Sequence, residues 1–290
     1  TVAEAGLVVE SAARDPRDGS LLVGSLARGG VWRVGPGGAL ARLDHPADSL
    51  GETLGMHVSA DGARLWVATG APRPAVVALS LADGRVTRRL VPPADGGPHL
   101  PNDLVLVGDS LFVTDSHAGA VYVAALAGPA ADTLRPVPAR DPQGNALRLA
   151  YPNGIATLDG GRTLHVATSR GLVRLERGSG HAARVTPAPR ATLAMIDGLY
   201  AHGGRLVAVQ NGVGLSQVVS IALDAGGARA IDVRVLERFH PAHDTPTTGV
   251  VVGDTLVYVA NSQVSSLDAA GRLRAGVPPQ RAVLLALPLR

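Results

Sequence analysis

The sequence contains no cysteine and no lysine, only two methionines, and few aromatic residues. Without cysteine there can be no disulfide, no thiolate metal site and no cysteine nucleophile. The same absence is compatible with an oxidising compartment, and a periplasmic or secreted location is the expectation over a cytoplasmic one. All 27 basic side chains are arginine. They are scattered along the chain, and aromatics make up only 3% of it. A nucleic-acid surface usually clusters its positive charge and interleaves aromatics, so the pI of about 9.9 does not point to a polyanion partner. Long apolar runs are also missing. The longest covers residues 282–289, whereas a membrane helix needs about 20 residues, so no membrane span is expected. No charged-then-apolar leader precedes Thr1, and the expectation is that any signal peptide is absent or already removed. Phosphate loops, zincin helices and dinucleotide fingerprints are absent too. The nearest approach to a serine-hydrolase elbow, Gly214-Leu215-Ser216-Gln217-Val218, lacks its second glycine.

What is present is repetition. Short apolar strands recur around Leu21, Leu65, Leu111, Leu164, Leu206 and Leu256, a period of about 47 residues. Each follows a turn pair, Asp18-Gly19, Asp61-Gly62, Gly108-Asp109, Asp159-Gly160 or Gly253-Asp254 in five copies. Glycine there supplies the positive φ that tight hairpins need. A further apolar strand precedes each turn, and a third follows the anchor strand, as in Gly119-Ala120-Val121-Tyr122-Val123. A more polar fourth segment closes several copies. Six units of four short antiparallel strands predict an all-β fold, a six-bladed β-propeller forming a single domain over residues 1–290. A pair of β-sandwiches would also give short strands but does not demand six similar units. The apolar segments around Leu7-Val8-Val9 and 281–287 lie at opposite ends, and one is expected to complete a sheet begun by the other end.

The residues just before the innermost strand of each copy should converge on one mouth of the channel. They are Glu10, Gly55, Asn102, Asn153, Asp197 and Thr248. A single Asn-Gly or Asp-Gly pair reads as a turn, but recurrence in register argues for a site. Glu10, Asn102, Asn153 and Asp197 offer oxygens with two negative charges and neither imidazole nor sulfur. That is a hard-cation donor set, suited to calcium, with another divalent cation as the alternative.

In Glu10 with the following Ser-Ala-Ala-Arg-Asp, in Pro101-Asn102-Asp103, in Pro152-Asn153-Gly154-Ile155-Ala156 and in Ile196-Asp197-Gly198, the chain resembles the superfamily of gluconolactonase, senescence-marker protein and luciferin-regenerating enzyme. The resemblance runs over essentially the whole chain in the same order. It implies a six-bladed propeller with a divalent metal, commonly calcium, and hydrolysis of lactones or organophosphate esters. By the same resemblance Glu10, Asn153 and Asp197 match metal-binding positions, and Asn102 matches a residue that binds metal or substrate. His99 and Leu100 stand where sugar lactonases often place an arginine, which speaks against an aldonolactone.

The expected activity is therefore calcium-dependent hydrolysis of a lactone or related ester by a monomer acting on a small molecule. The alternative is a ligand- or protein-binding propeller with a structural calcium. Asp197, Asp103 and His99 are the candidate catalytic residues, since a carboxylate or imidazole can serve as general base. Asn102, His57, His202 and His240 are the candidate substrate contacts. Asp103 could also simply orient Asn102, and His165, on an anchor strand, is expected to pack.

Overall fold

The computed structural model describes residues 1–45, 48, 50–127, 132–212, 214, 216–268 and 271–290. Two features decide its elements: short apolar strands, the second of each sheet buried along most of its length, and glycine-bearing turns between strands. In five sheets the turn pairs named above separate the first strand from the second, with glycine φ angles between 54 and 77°. In the fifth sheet Gly203 and Gly204 do the same work.

The fold is a six-bladed β-propeller, all-β, with mostly four-stranded antiparallel blades. The chain divides into two compact units, Thr1–Val91 with Pro241–Pro288 and Arg290, and Pro92–His240 with Leu289. The first unit holds three sheets. One is β1 (Val9–Arg14), β2 (Leu21–Ser25), β3 (Val31–Val34) and β4 (Leu40–Arg42). The next is β5 (Thr53–Val58), β6 (Arg64–Thr69), β7 (Ala75–Ser80) and β8 (Val86–Leu90). The second unit holds β9 (Pro101–Val107), β10 (Ser110–Asp115), β11 (Ala120–Ala125) and β12 (Arg135–Pro136), then β13 (Ile155–Ala156), β14 (Thr163–Thr168), β15 (Gly171–Glu176) and β16 (Ala182–Arg184). Its third sheet is β17 (Ile196–His202), β18 (Arg205–Gln210), β19 (Gln217–Leu223) and β20 (Ala230–Arg238). The first unit's remaining sheet is β21 (Gly249–Val252), β22 (Thr255–Val259) and β23 (Leu284–Pro288).

The six anchor leucines all fall in second strands, and five of them are fully buried. These strands are apolar on both faces because each face meets a different neighbour. Leu22 packs with Leu65, Val67 and Val77 of the next sheet, while Val23 packs with Val259 and Ala282. In the second unit Leu164 and Val166 pack against Phe112 and Val121, and Ala167 turns to Ile196, Leu199 and Ala208. The core is thus a set of layers between sheets, so no blade could bury its own faces alone.

The sixth sheet departs from expectation, with three strands among the described residues. Each terminal apolar segment stays with its own end's sheet: Val9 opens β1, and Leu284–Pro288 pairs with β22. The two ends share a buried apolar cluster, and their backbones pair in an isolated bridge, Ala5 with Arg281, flanked by Val2 N–H to Ala282 O and Gly6 N–H to Gln280 O. A longer ladder cannot form there because side chains take the backbone donors. Gln280 N–H goes to Gln263 Oε1 and Val283 N–H to Asn261 Oδ1. Among the described residues no helix is long and apolar enough to cross a membrane.

Candidate metal site at the start of the first strands

The six positions picked out in the sequence share one backbone device. Each first strand carries a β-bulge, two residues opposite one, at that position. The bulge holds Glu10 in β1, Leu54-Gly55 in β5, Asn102-Asp103 in β9 and Asp197-Gly198 in β17. Next to β13, Asn153 N–H and the Gly154 carbonyl both bond Ala167, and next to β21 Thr247 N–H and the Thr248 carbonyl both bond Val259. A bulge re-aims a side chain out of the alternation of its strand. A second device marks four of the six. The residue two before the first bulge residue, namely Val8, Tyr151, Met195 and Thr245 ahead of Glu10, Asn153, Asp197 and Thr247, has φ of 50, 51, 54 and 57°. Non-glycine residues hold such angles only when the surroundings impose them, and such residues cluster at functional sites.

Within the second unit the starts of β9, β13 and β17 come together. Gly154 N–H donates to the Asp197 carbonyl at 2.9 Å. A Cβ on Gly154 would stand 2.4 Å from that oxygen, so glycine is required for the approach. Asp103 Oδ2 accepts the Ile155 N–H at 3.1 Å, and Ser116 Oγ accepts from Asn102 Nδ2 at 2.9 Å while donating to the Pro152 carbonyl at 2.7 Å. Asn102 is thereby fixed through its nitrogen, leaving Oδ1 on its other side. Asp197 is buried, and its Oδ2 accepts a hydrogen bond from Asn211 Nδ2.

Two buried oxygens in this cluster have no hydrogen-bond partner, Asn153 Oδ1 and Asp197 Oδ1. Burial pushes the Asp197 carboxyl up, against the Asn211 and Asn153 amides, which pull it down. Asp103 is raised to about 7, first by burial and further by the charge of Asp197, with the Leu104 and Ile155 N–H groups opposing. Among the described residues no cluster of three or more His, Asp or Glu side chains forms a metal site. The donors gathered here are one carboxylate with amides.

The histidines are placed elsewhere. His99 is clamped, with Nδ1 2.8 Å from Asp115 Oδ2 and Nε2 3.1 Å from Asp95 Oδ1. Burial opposes its charge, but the two aspartates outweigh it and raise its pKa. With both nitrogens engaged, the ring braces the loop before β9. His202 ends β17, five residues from Asp197 and about 16 Å along the strand, so those two are not brought together. His240 follows β20, three strands across the sheet from β17. In the first unit His57 lies exposed on β5 with Nδ1 2.9 Å from the Val58 carbonyl, and Glu10 is buried on β1. His165 is packed, without a partner for either nitrogen, and burial lowers it to about 4.

Sequence reasoning missed Asn211 and Ser116, which orient Asp197 and Asn102. Asn211-Gly212 and Asp115-Ser116 read as turns, and only pairing across strands reveals what they hold. It also missed a cleft of about 600 Å³ in the second unit, lined by Ser116, His117, Arg148, Tyr151 and Arg170 among others.

No family model and no curated protein matches the sequence. Solved structures do match the fold. A gluconolactonase of Xanthomonas campestris superposes with a TM-score of 0.65 at 18% identity, over 90% of this chain and 85% of that one. The calcium-binding protein regucalcin of Agrobacterium tumefaciens gives 0.60 at 14%, over 89% and 83%. The fold is that of the gluconolactonase and regucalcin propellers. A virginiamycin B lyase of Staphylococcus aureus also shares it, with 0.60 at 11% identity over 99% of this chain and 85% of that one. Fold likeness at these identities does not choose between chemistries.

Proposed function

We propose that the protein is a calcium-dependent hydrolase of lactones or related esters. The observation that carries this reading is the pair of buried oxygens without partners, Asn153 Oδ1 and Asp197 Oδ1. Buried polar atoms are nearly always satisfied, and an unpartnered carboxylate oxygen beside an unpartnered amide oxygen fits a cation. Asn153 and Asp197 would hold it, and Asn102, tied to the residue before Asn153 through Ser116, is the further candidate donor. In the first unit Glu10 stands on the same bulge, with the same left-handed residue two positions before it. Calcium suits these residues because amide and carboxylate oxygens with water satisfy its six to eight positions.

A bound divalent cation would supply polarisation of a carbonyl oxygen as negative charge builds on it. The protein's own groups do the rest. Asn211 holds the Asp197 carboxylate in one orientation, and Ser116 holds the Asn102 amide. Asp103, raised toward neutrality, is the carboxylate suited to take a proton from an attacking water. Its Oδ2 is committed to the Ile155 N–H, which leaves Oδ1 for that task. His99 acts as a brace and not as a base. The likeness to a gluconolactonase and to a calcium-binding propeller agrees with this reading.

The test is hydrolysis, followed by pH-stat, of sugar, aliphatic and homoserine lactones and an aryl ester, first on chelator-stripped protein and then after calcium addition. Turnover that returns with calcium supports the hydrolase. Calcium binding with no turnover on the whole panel would replace it with a binding propeller that carries a structural ion.

A further inference from the structure

We propose that the cleft beside this site recognises an anionic carboxylate on the substrate through Arg148 and Arg170, so that the preferred substrates are lactones or esters bearing a free acid. This rests on the hydrolase reading for its chemistry, but the cleft itself stands on separate observations. It holds about 600 Å³, and Ser116 belongs both to its lining and to the hydrogen-bond chain that fixes Asn102. Tyr151, two residues before Asn153, forms part of the wall. Its left-handed backbone holds an exposed ring there, 6.2 Å from the His117 ring. A molecule in the cleft therefore lies against the residues that lead directly into Asn102 and Asn153.

The charge in the cleft is not neutralised. Among the described residues neither Arg148 nor Arg170 pairs with a carboxylate, whereas Arg17, Arg33, Arg42, Arg205 and Arg234 all do. Arg148 is also held in place by neutral acceptors. Its Nε donates to the Ala118 carbonyl at 3.2 Å and its Nη2 to the His117 carbonyl at 2.7 Å. Both bonds leave from the Nε/Nη2 edge of the guanidinium, so Nη1 and the second N–H of Nη2 remain to receive a carboxylate through two parallel hydrogen bonds. Arg170 sits in the turn between β14 and β15 and adds the second positive charge. An arginine pre-oriented by backbone carbonyls loses less freedom on binding than a free one, which favours the ordered contact.

The decisive experiment is calorimetric titration of the chelator-stripped protein with glutarate and with glutaramide. Without metal, any preference for the acid belongs to the arginines. Glutarate is expected to bind, glutaramide is not, and R170Q and R148Q are each expected to weaken glutarate by about tenfold, with affinity falling as salt rises. Failure of glutarate to bind, or equal affinity in wild type and R170Q, overturns the proposal. A kinetic arm separates it from the hydrolase reading. In calcium-loaded protein, the ratio of kcat/KM for a carboxylated lactone over its methyl ester should exceed about ten and fall toward one in R170Q, chiefly through KM. Turnover of both lactones without preference would leave the hydrolase standing and remove the cleft's role. Glutarate binding with no turnover would keep the cleft and remove the hydrolase.

Discussion

The bulge at Asp197-Gly198 and the bulge at Thr247-Thr248 are the same backbone device in two units of the molecule, with opposite outcomes. At the second, both hydroxyls are spent: Thr247 Oγ1 donates to the Glu10 carbonyl at 2.7 Å and Thr248 Oγ1 to the same oxygen at 3.0 Å. At the first, one carboxylate oxygen is held by Asn211 and the other is buried with nothing to bond. Threonine at a bulge can satisfy itself against a neighbouring strand, because a hydroxyl both donates and accepts. A carboxylate can only accept, and once the available amides are used it needs a proton or a cation. The geometry is shared, and the side chain decides whether the position is structural or a site.

The largest effect expected from breaking this contrast comes at Asp197. D197A should reduce calcium affinity by at least about 100-fold, more than losing a residue that only orients a ligand. Lactone turnover should vanish with it. Calorimetric calcium titration beside the pH-stat assay checks both, and unaltered calcium binding would end the metal reading.

A second experiment separates charge from shape. Burial raises both Asp197 and Asp103 above the ordinary value of 3.8, Asp103 to about 7. Between the unfolded and folded values the folded chain keeps a proton that the unfolded chain has released. The cation-free protein should therefore lose stability as pH rises from about 4 to 7, by roughly a few kcal/mol, and stay destabilised above that. D197N removes the Asp197 share, so the cation-free variant should melt higher than cation-free wild type at pH 8. Added calcium should raise Tm in wild type only, because a ligand that binds the folded state stabilises it by mass action. Denaturation curves across pH, with and without chelator, read all of this.

The approach of β13 to β17 gives a third. G154A places a methyl carbon against the Asp197 carbonyl and should destabilise by about 1–3 kcal/mol. Gly160, in an open turn, has nothing within 4 Å of a built Cβ, although its φ of 68° still disfavours alanine. G160A should therefore be the milder of the two, and urea midpoints rank them. The smallest effect is expected at the satisfied bulge. T247V should cost about 1 kcal/mol for the lost hydrogen bond and leave the calcium-dependent rise in Tm in place. A lost calcium response there would mean that Thr247 positions a ligand and is not merely structural.

Much of this molecule was legible before any coordinates. The anchor leucines give the blade count, since a strand buried on both faces must be apolar throughout. The glycine turns give the hairpins, because positive φ leaves few other residues. The six strand-start positions could be read from recurrence, and each coincides with a bulge. Closure was not legible: nothing in Leu284–Pro288 announces that it pairs with β22, or that Asn261 and Gln263 would take the donors just before it. Nor did the histidines declare themselves, since His99 becomes a brace only once Asp95 and Asp115 flank it.

The sequence by itself determined the repeat, the all-β architecture and the oxygen-rich residue types at the strand starts, because periodicity and turn chemistry are local properties. Tertiary structure alone decided which oxygens are left without partners and which arginines are left without counter-charges. Those are properties of neighbours distant in sequence: Asn211 beside Asp197, Ser116 between Asn102 and Pro152, and the His117 and Ala118 carbonyls that hold Arg148.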